Sequence, residues 1–149
     1  MGDAEGVLYW DTSAVLSTLM ADRHTDLAVR QLRSQATHLL SSLAWAEAHA
    51  VLSRLRREGG ASEHGFRAAQ GLLAQGPWQR ISSSPDWAVT RAIAVRWHLR
   101  GADLWHLAMA KSLQRDLPEI TMLTYDVALQ EAAMGEGLAS HAGPEVPVP

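Results

Sequence analysis

Val7-Leu8-Tyr9-Trp10-Asp11-Thr12-Ser13-Ala14 sets the architecture of this chain: four apolar or aromatic residues run into an acid, two hydroxyls and an alanine. Residues 15–20 then continue with the apolar spacing of a helix. The pattern predicts a short buried strand that ends at Asp11 and turns at once into a helix. Because α/β folds build their sites at the carboxyl ends of strands, Asp11 is the first candidate for chemistry. The alternative is that Asp11, Thr12 or Ser13 only caps the helix.

Short apolar segments alternate with helical patterns along the rest of the chain. Further strands are predicted at about 37–41, 78–81 and 119–124, with a last short one after Gly137. Helices are predicted at about 12–21, 25–34, 43–58, 62–74, 85–100, 102–115 and 126–134. This alternation favours right-handed crossovers and a parallel sheet covered on both faces. The predicted fold is therefore a three-layer α/β/α sandwich with a central parallel sheet.

Length and composition narrow the class of protein. The chain has 149 residues, is 47% hydrophobic and 19% charged, and contains no cysteine. It suits one domain without disulfides or thiolate metal sites. No apolar run is long enough for a membrane and the amino terminus lacks a signal-peptide pattern, so we expect a cytoplasmic protein. We assign residues 1–142 to a single domain and residues 143–149 to a flexible Pro-rich tail.

Three further acids lie at positions in the predicted helices where a purely structural role accounts poorly for a charged side chain. Glu47 interrupts a stripe that is otherwise apolar, formed by Leu43, Ala50, Val51 and Leu55. Asp103 opens a helix and shares a face with Leu107 and Ala110, while Asp126 repeats the strand–acid–helix order of Asp11. The structural alternatives are a buried salt bridge to arginine for Glu47, a favourable helix dipole for Asp103 and an N-cap for Asp126.

These acids are predicted to meet at one edge of the sheet. In a parallel sheet, helices that follow strands begin at the edge where the strands end, so all four acids can converge there. Converging carboxylates repel and their pKa values rise unless a divalent cation binds. Oxygen ligands without cysteine suit Mg²⁺ or Mn²⁺. Such a site can hold a phosphodiester, activate water and stabilise the leaving oxygen.

Four motifs in this order resemble those of PIN-domain ribonucleases, and most closely the VapC-type toxins of bacterial toxin–antitoxin pairs. The motifs are Asp11-Thr12-Ser13-Ala14, Ser42-Leu43-Ala44-Trp45-Ala46-Glu47, Gly101-Ala102-Asp103-Leu104-Trp105-His106-Leu107-Ala108, and Thr124-Tyr125-Asp126-Val127-Ala128-Leu129 followed by Ala132, Ala133 and Gly137. The likeness runs from Val7 to about His141. The start is about six residues longer than is usual, and the Pro-rich tail has no counterpart.

The resemblance implies a PIN-like α/β/α fold and Mg²⁺- or Mn²⁺-dependent RNA endonuclease activity. It further implies a homodimer and an antitoxin that blocks the site. Carried over by position, Asp11, Glu47, Asp103 and Asp126 form the acidic quartet that holds the metal. Ser13 and Thr124 supply hydroxyls that order metal-bound water or a carboxylate.

Other readings and other residues stay open at this point. The chain could instead be a PIN-fold protein that only binds RNA or a partner; a haloacid-dehalogenase-like phosphatase is disfavoured because it needs a second aspartate where Ser13 stands. His106 is expected to be structural. Alanine-rich surfaces on the second helix and at residues 88–95 could pack a twin subunit or the antitoxin. Six arginines are interpreted as exposed residues on helix faces, with phosphate contact as the alternative role: Arg54, Arg56, Arg57, Arg91, Arg96 and Arg100. Five tryptophans are interpreted mostly as core or interface residues, with base stacking as the alternative role: Trp10, Trp45, Trp87, Trp97 and Trp105.

Overall fold

The chain alternates four strands and seven helices over residues 6–138, the part that the computed structural model describes. The strands are β1 (Val7–Trp10), β2 (Thr37–Ser41), β3 (Trp78–Ile81) and β4 (Ile120–Leu123). The helices are α1 (Thr12–Leu19), α2 (Thr25–Leu32), α3 (Ser42–Arg57), α4 (Glu63–Gln75), α5 (Trp87–Arg96), α6 (Gly101–Leu113) and α7 (Val127–Gly135).

All four strands are parallel and lie in the order β3-β2-β1-β4. At the end of β1, Trp10 is in register with Leu40 of β2 and with Leu123 of β4. The residues that follow these positions, Asp11, Ser41 and Thr124, therefore stand side by side at one edge. The predicted parallel sheet is confirmed, and the ends of its strands lie at one edge as expected.

Each face of the sheet is covered by its own set of helices. Leu8 and Trp10 point into a core formed with α1–α4, whereas Val7 and Tyr9 point into a core formed with α5–α7. The split follows from the two-residue period of a strand, which sends neighbouring side chains to opposite faces. Both sets of β1 side chains are buried because helices cover both faces. This confirms the predicted three-layer α/β/α sandwich.

Helix starts agree well with the sequence because their caps are local. Ser62 and Asp86 accept hydrogen bonds from the backbone N–H of Gly65 and Val89, at 3.0 Å each. Four helices end two or more residues earlier than predicted. Three of them stop two residues early: α1 at Leu19, α2 at Leu32 and α6 at Leu113. The largest difference is in α5, which stops at Arg96 rather than at about Arg100.

The early end of α5 has a cause forty residues away. Trp97 adopts an extended backbone, and its indole N–H donates to Glu136 Oε2 at 2.9 Å. Arg96 pairs with the same carboxylate through two nitrogens, at 2.6 and 2.9 Å. The Trp97 ring also lies directly over Gly135, where a Cβ atom would collide with it. These contacts stabilise the extended backbone more than another helical turn would.

Some predictions fall outside the described residues. The last short strand was expected after Gly137, but Gly137 and Leu138 are not in a strand, and the rest of it lies beyond residue 138. The tail at 143–149 also lies outside, so the domain and tail boundaries stay predictions. Within residues 6–138, no helix has the length and apolar character needed to span a bilayer.

Candidate active site

Asp11 joins the end of β1 to the start of α1 and is 2% exposed. Its Oδ1 accepts hydrogen bonds from Ala14 N–H and the Ser13 hydroxyl, both at 2.8 Å. Its Oδ2 accepts from the hydroxyl of Thr124 at 2.5 Å, and from Ser13 at 2.9 Å. Asp11 is therefore an N-cap, and capping fixes its carboxylate at the sheet edge.

Burial raises the pKa of Asp11 to about 6. The hydrogen bonds from Thr124, Ala14 and Ser13 oppose this rise because they stabilise the ionised form. The charge of Asp103 raises the pKa further. A cation that binds beside this buried carboxyl group stabilises its ionised form.

Asp103 and Asp126 line a cleft next to Asp11. Asp103 lies in the first turn of α6, and Asp126 caps α7 by accepting from Leu129 N–H at 2.9 Å. The N–H of Asp126 donates to the Thr124 hydroxyl at 3.1 Å, which links it to the Asp11 network. The cleft has a volume of about 500 Å³ and is lined by His98, Leu99, Arg100, Asp103, Asp126 and Ala128.

The charges of neighbouring acids raise the pKa values of Asp103 and Asp11. The pKa of Asp103 is raised mainly by burial and then by the charges of Asp126 and Glu47, while Arg100 lowers it. Asp103 in turn raises the pKa of Asp11. All four predicted acids therefore contribute to one region of negative potential at the sheet edge.

The predicted inward stripe of α3 is wrong by about one position. The buried face of α3 is formed by Ala44, Ala48 and Leu52, and Ala50 is exposed. Glu47 lies at the flank of this face, with its side chain 37% exposed. The stripe could not be chosen from hydrophobicity because alanine is small, and close packing rather than apolar area selects the face. The structural alternative for Glu47, a salt bridge to arginine, is not seen within residues 6–138 either: Glu47 Oε1 accepts from the Thr12 hydroxyl at 2.7 Å.

Three residues of the site were missed as functional candidates: Tyr9, Thr12 and His106. The His106 ring is 1% exposed and lies 2.7 Å from the Tyr9 hydroxyl through Nδ1. Its Nε2 lies 3.0 Å from Thr12 Oγ1 and 3.4 Å from Glu47 Oε1. Burial lowers the pKa of His106, and the charge of Glu47 opposes this. The available signal was that His106 falls one turn after Asp103 on the inward side of α6.

The donor set suits a hard cation, although the acids do not form a tight cluster. Carboxylate oxygens are the ligands that Mg²⁺ and Mn²⁺ prefer. The pKa values of Asp11 and Asp103 are raised by burial and then by neighbouring acids, and a bound cation lowers both costs. Among residues 6–138, however, no three acidic or histidine side chains are grouped closely enough to share one ion. The predicted acids therefore lie along one edge of the sheet and do not form a closed three-ligand site within residues 6–138.

Of the arginines and tryptophans considered as RNA contacts, Arg100 lines the acidic cleft. Others form ion pairs with acids or are buried. Arg96 pairs with Glu136 at 2.6 Å and Arg56 with Glu63 at 2.8 Å. Trp10 is fully buried, whereas Trp87 is 90% exposed, so of the two expected roles, core or interface, Trp87 does not have the core role.

Comparisons with known proteins place this geometry in a family. The PIN domain family model matches residues 8–133. A similar fold is found in the crystal structure of VapBC2 from Rickettsia felis bound to a DNA fragment from their promoter, with a TM-score of 0.64, 12% identity, and coverage of 90% of this chain and 96% of that one. The structure of VapBC-1 from nontypeable Haemophilus influenzae gives a TM-score of 0.53, 16% identity and the same coverage. No curated protein sequence matches the chain significantly.

Proposed function

The chain belongs to the PIN domain family, as its motifs led us to expect, and we propose that it is an endoribonuclease that needs Mg²⁺ or Mn²⁺. The proposal rests on the mutual charge of the acids at the sheet edge, above all on Asp11 and Asp103. Both carboxyls have raised pKa values, and a cation between them relieves their burial and repulsion.

In this proposal Asp11 and Asp103 hold the principal cation, with Glu47 and Asp126 as the other members of the acidic set. Mg²⁺ commonly takes one or two carboxylates and keeps several waters, so no tighter cluster is required. The bound ion supplies charge neutralisation at the phosphate and a lowered pKa for water. Ser13 and Thr124 keep the Asp11 carboxylate in place through their hydroxyls.

RNA would approach through the cleft that contains Asp103 and Asp126. Arg100 lines this cleft, and its guanidinium can contact a backbone phosphate next to the acids. A single arginine at a negative site attracts a polyanion weakly. A divalent cation held by Asp11 and Asp103 would have a second role, because it would reduce the negative charge that opposes a phosphate at this edge.

We further propose a role as the toxin of a toxin–antitoxin pair, with the antitoxin and a second copy of the chain as partners in the cytoplasm. The support is the shared fold with VapBC structures from two bacteria. For the second copy, there is an apolar surface on α5, where Trp87 and Val95 are 90% and 85% exposed. Large exposed apolar side chains in one place favour contact with another protein.

The test is RNA cleavage by purified protein with Mg²⁺, with and without a chelator. Asp103→Asn is expected to lower the cleavage rate by more than about 100-fold, since even supporting residues of metal sites matter by 10–100-fold. Asp26→Asn is the matched control, because Asp26 also lies in the first turn of a helix but is exposed on α2. Undiminished cleavage by Asp103→Asn rejects the site.

The second candidate is a PIN-fold protein that binds RNA or a partner without cleaving. The observation that favours it is the lack of a tight three-residue ion cluster within residues 6–138. Titration calorimetry with Mg²⁺ and Mn²⁺ separates the two functions. Absence of binding by the wild-type protein favours the binding-only function, whereas binding that is lost in Asp11→Asn supports the nuclease.

A further inference from the structure

A buried chain of polar side chains runs beneath the acidic edge. It starts with Tyr9, which is fully buried. It passes from Tyr9 to His106 Nδ1 at 2.7 Å and from His106 Nε2 to Thr12 Oγ1 at 3.0 Å. It ends where the Thr12 hydroxyl meets Glu47 Oε1 at 2.7 Å. These residues come from β1 and three helices, so only the folded chain assembles them.

The carboxylate of Glu47 determines the direction of every hydrogen bond in this chain of polar side chains. A carboxylate only accepts, so the single hydroxyl proton of Thr12 points at Glu47. Thr12 Oγ1 can then only accept from His106, which requires a proton on Nε2. In a neutral imidazole Nδ1 is therefore the acceptor, and the Tyr9 hydroxyl donates to it.

We propose that His106 is a positioning residue that acts on Glu47 through Thr12. An imidazole with a proton on Nε2 aims the Thr12 hydroxyl at Glu47 and so holds this carboxylate at the acidic edge. The inference rests on the proposed metal-dependent function in one respect, namely that Glu47 belongs to the ion site. The orientation of the hydrogen bonds does not depend on that function.

Glu47 needs such support because of its place on α3. Its side chain is 37% exposed and lies beside the buried alanine face rather than on it. A glutamate in that position has several rotamers, and holding one of them is costly in entropy. The contacts from Thr12 and His106 both reach the same oxygen, Oε1, which leaves Oε2 for a ligand.

The first experiment tests the imidazole directly in the wild-type protein. Long-range ¹⁵N–¹H NMR spectra distinguish the two neutral tautomers and the charged ring. His38 is an internal standard, because its Nδ1 faces the donor Trp10 Nε1 at 3.1 Å and its Nε2 faces the acceptor Ser34 O at 3.1 Å. Both rings are expected to carry a proton on Nε2. A His106 ring without a proton on Nε2 overturns the inference.

The second experiment compares substitutions that keep different halves of the imidazole. In His106→Gln the amide nitrogen can still donate to Thr12, whereas His106→Asn can accept from Tyr9 but cannot reach Thr12. We expect Mn²⁺ affinity to fall by about 10-fold in His106→Asn and in Thr12→Val, as for other supporting residues of metal sites. His106→Gln and Thr12→Ser are expected to stay within about 3-fold of wild type. Equal affinities in the Asn and Gln variants overturn the inference.

Controls separate positioning from simple loss of packing. The same two substitutions at His38 remove a buried imidazole from the opposite face of the sheet and should lower the thermal midpoint without changing Mn²⁺ affinity. If wild-type protein binds no metal, the proposed function fails. The tautomer of His106 in the first experiment then decides the inference by itself.

Discussion

The hydroxyl of Thr124 donates a 2.5 Å hydrogen bond to Oδ2 of Asp11, a residue 113 positions earlier in the chain. The same hydroxyl oxygen accepts from the N–H of Asp126 at 3.1 Å. One side chain after β4 therefore fixes both the carboxylate after β1 and the start of α7. This arrangement makes Thr124 the point at which the acidic edge depends on the pairing of β1 with β4.

Replacement of Thr124 by valine should disturb Asp11 more than it disturbs the core. Valine has nearly the shape of threonine but gives Asp11 no donor, so the pKa of Asp11 should rise above its present value of about 6. Loss of a buried hydrogen bond to a charged group should cost about 1–3 kcal/mol of unfolding free energy. A ¹³C NMR titration of the Asp11 carboxyl and urea unfolding measure the two effects. Thr124→Ser is the control, and an unchanged Asp11 pKa in Thr124→Val contradicts the assigned bond.

The raised pKa of Asp11 predicts how stability depends on pH without metal. Because the folded-state pKa of about 6 exceeds the ordinary aspartate value of 3.8, protonated Asp11 contributes fully to stability below pH 3.8, and this contribution is lost as pH rises through about 6. Asp11→Asn, which keeps a capping oxygen, should therefore gain stability relative to wild type between pH 4 and 7, by up to about 3 kcal/mol. Urea unfolding at several pH values, with a chelator present, measures this. A difference between the two proteins that is constant with pH contradicts the assigned pKa.

Gly135 should tolerate no side chain. A Cβ atom there would collide with the Trp97 ring, which Glu136 holds in place. Gly135→Ala should destabilise the protein by about 1–3 kcal/mol, as other cases of overpacking do. Gly71→Ala is the matched control, since Gly71 lies within α4 with open space around it, and alanine should stabilise the helix by about 0.5–1 kcal/mol. Thermal unfolding of the two variants should shift in opposite directions.

The apolar surface of α5 should mediate self-association. Trp87, Pro85 and Trp105 line a groove of about 710 Å³, and the Trp87 ring is almost fully exposed. If a second copy packs here, Trp87→Arg should convert a dimer to a monomer, as measured by light scattering during size-exclusion chromatography. Met134→Arg changes an exposed apolar residue of α7 and should leave the dimer intact. A wild-type monomer, or a dimer that survives Trp87→Arg, rejects this surface.

Local sequence determines much of the fold and the location of the site. Five of the seven helices in the described residues have a side chain that accepts a hydrogen bond from an N–H three residues later, so the starts of these five follow from nearby residues. The capping residues are Asp11, Ser41, Ser62, Asp86 and Asp126. The strand–acid–helix order after β1 and β4 follows in the same way. Parallel pairing then places the ends of these strands at one edge, so Asp11 and Asp126 could be predicted from sequence as neighbours.

Tertiary packing decides what the local pattern leaves open. Which face of the alanine-rich α3 is buried depends on close contact with other helices, and this places Glu47 at the flank of the helix. The end of α5 depends on Glu136, and the role of His106 depends on Tyr9, 97 residues away. Hydrophobic periodicity and helix caps act over a few residues. Sequence alone therefore determined the capped helix starts and the edge at which the acids lie. Hydrogen bonds between distant side chains exist only after the layers pack, so only the tertiary structure decided how Glu47 is held.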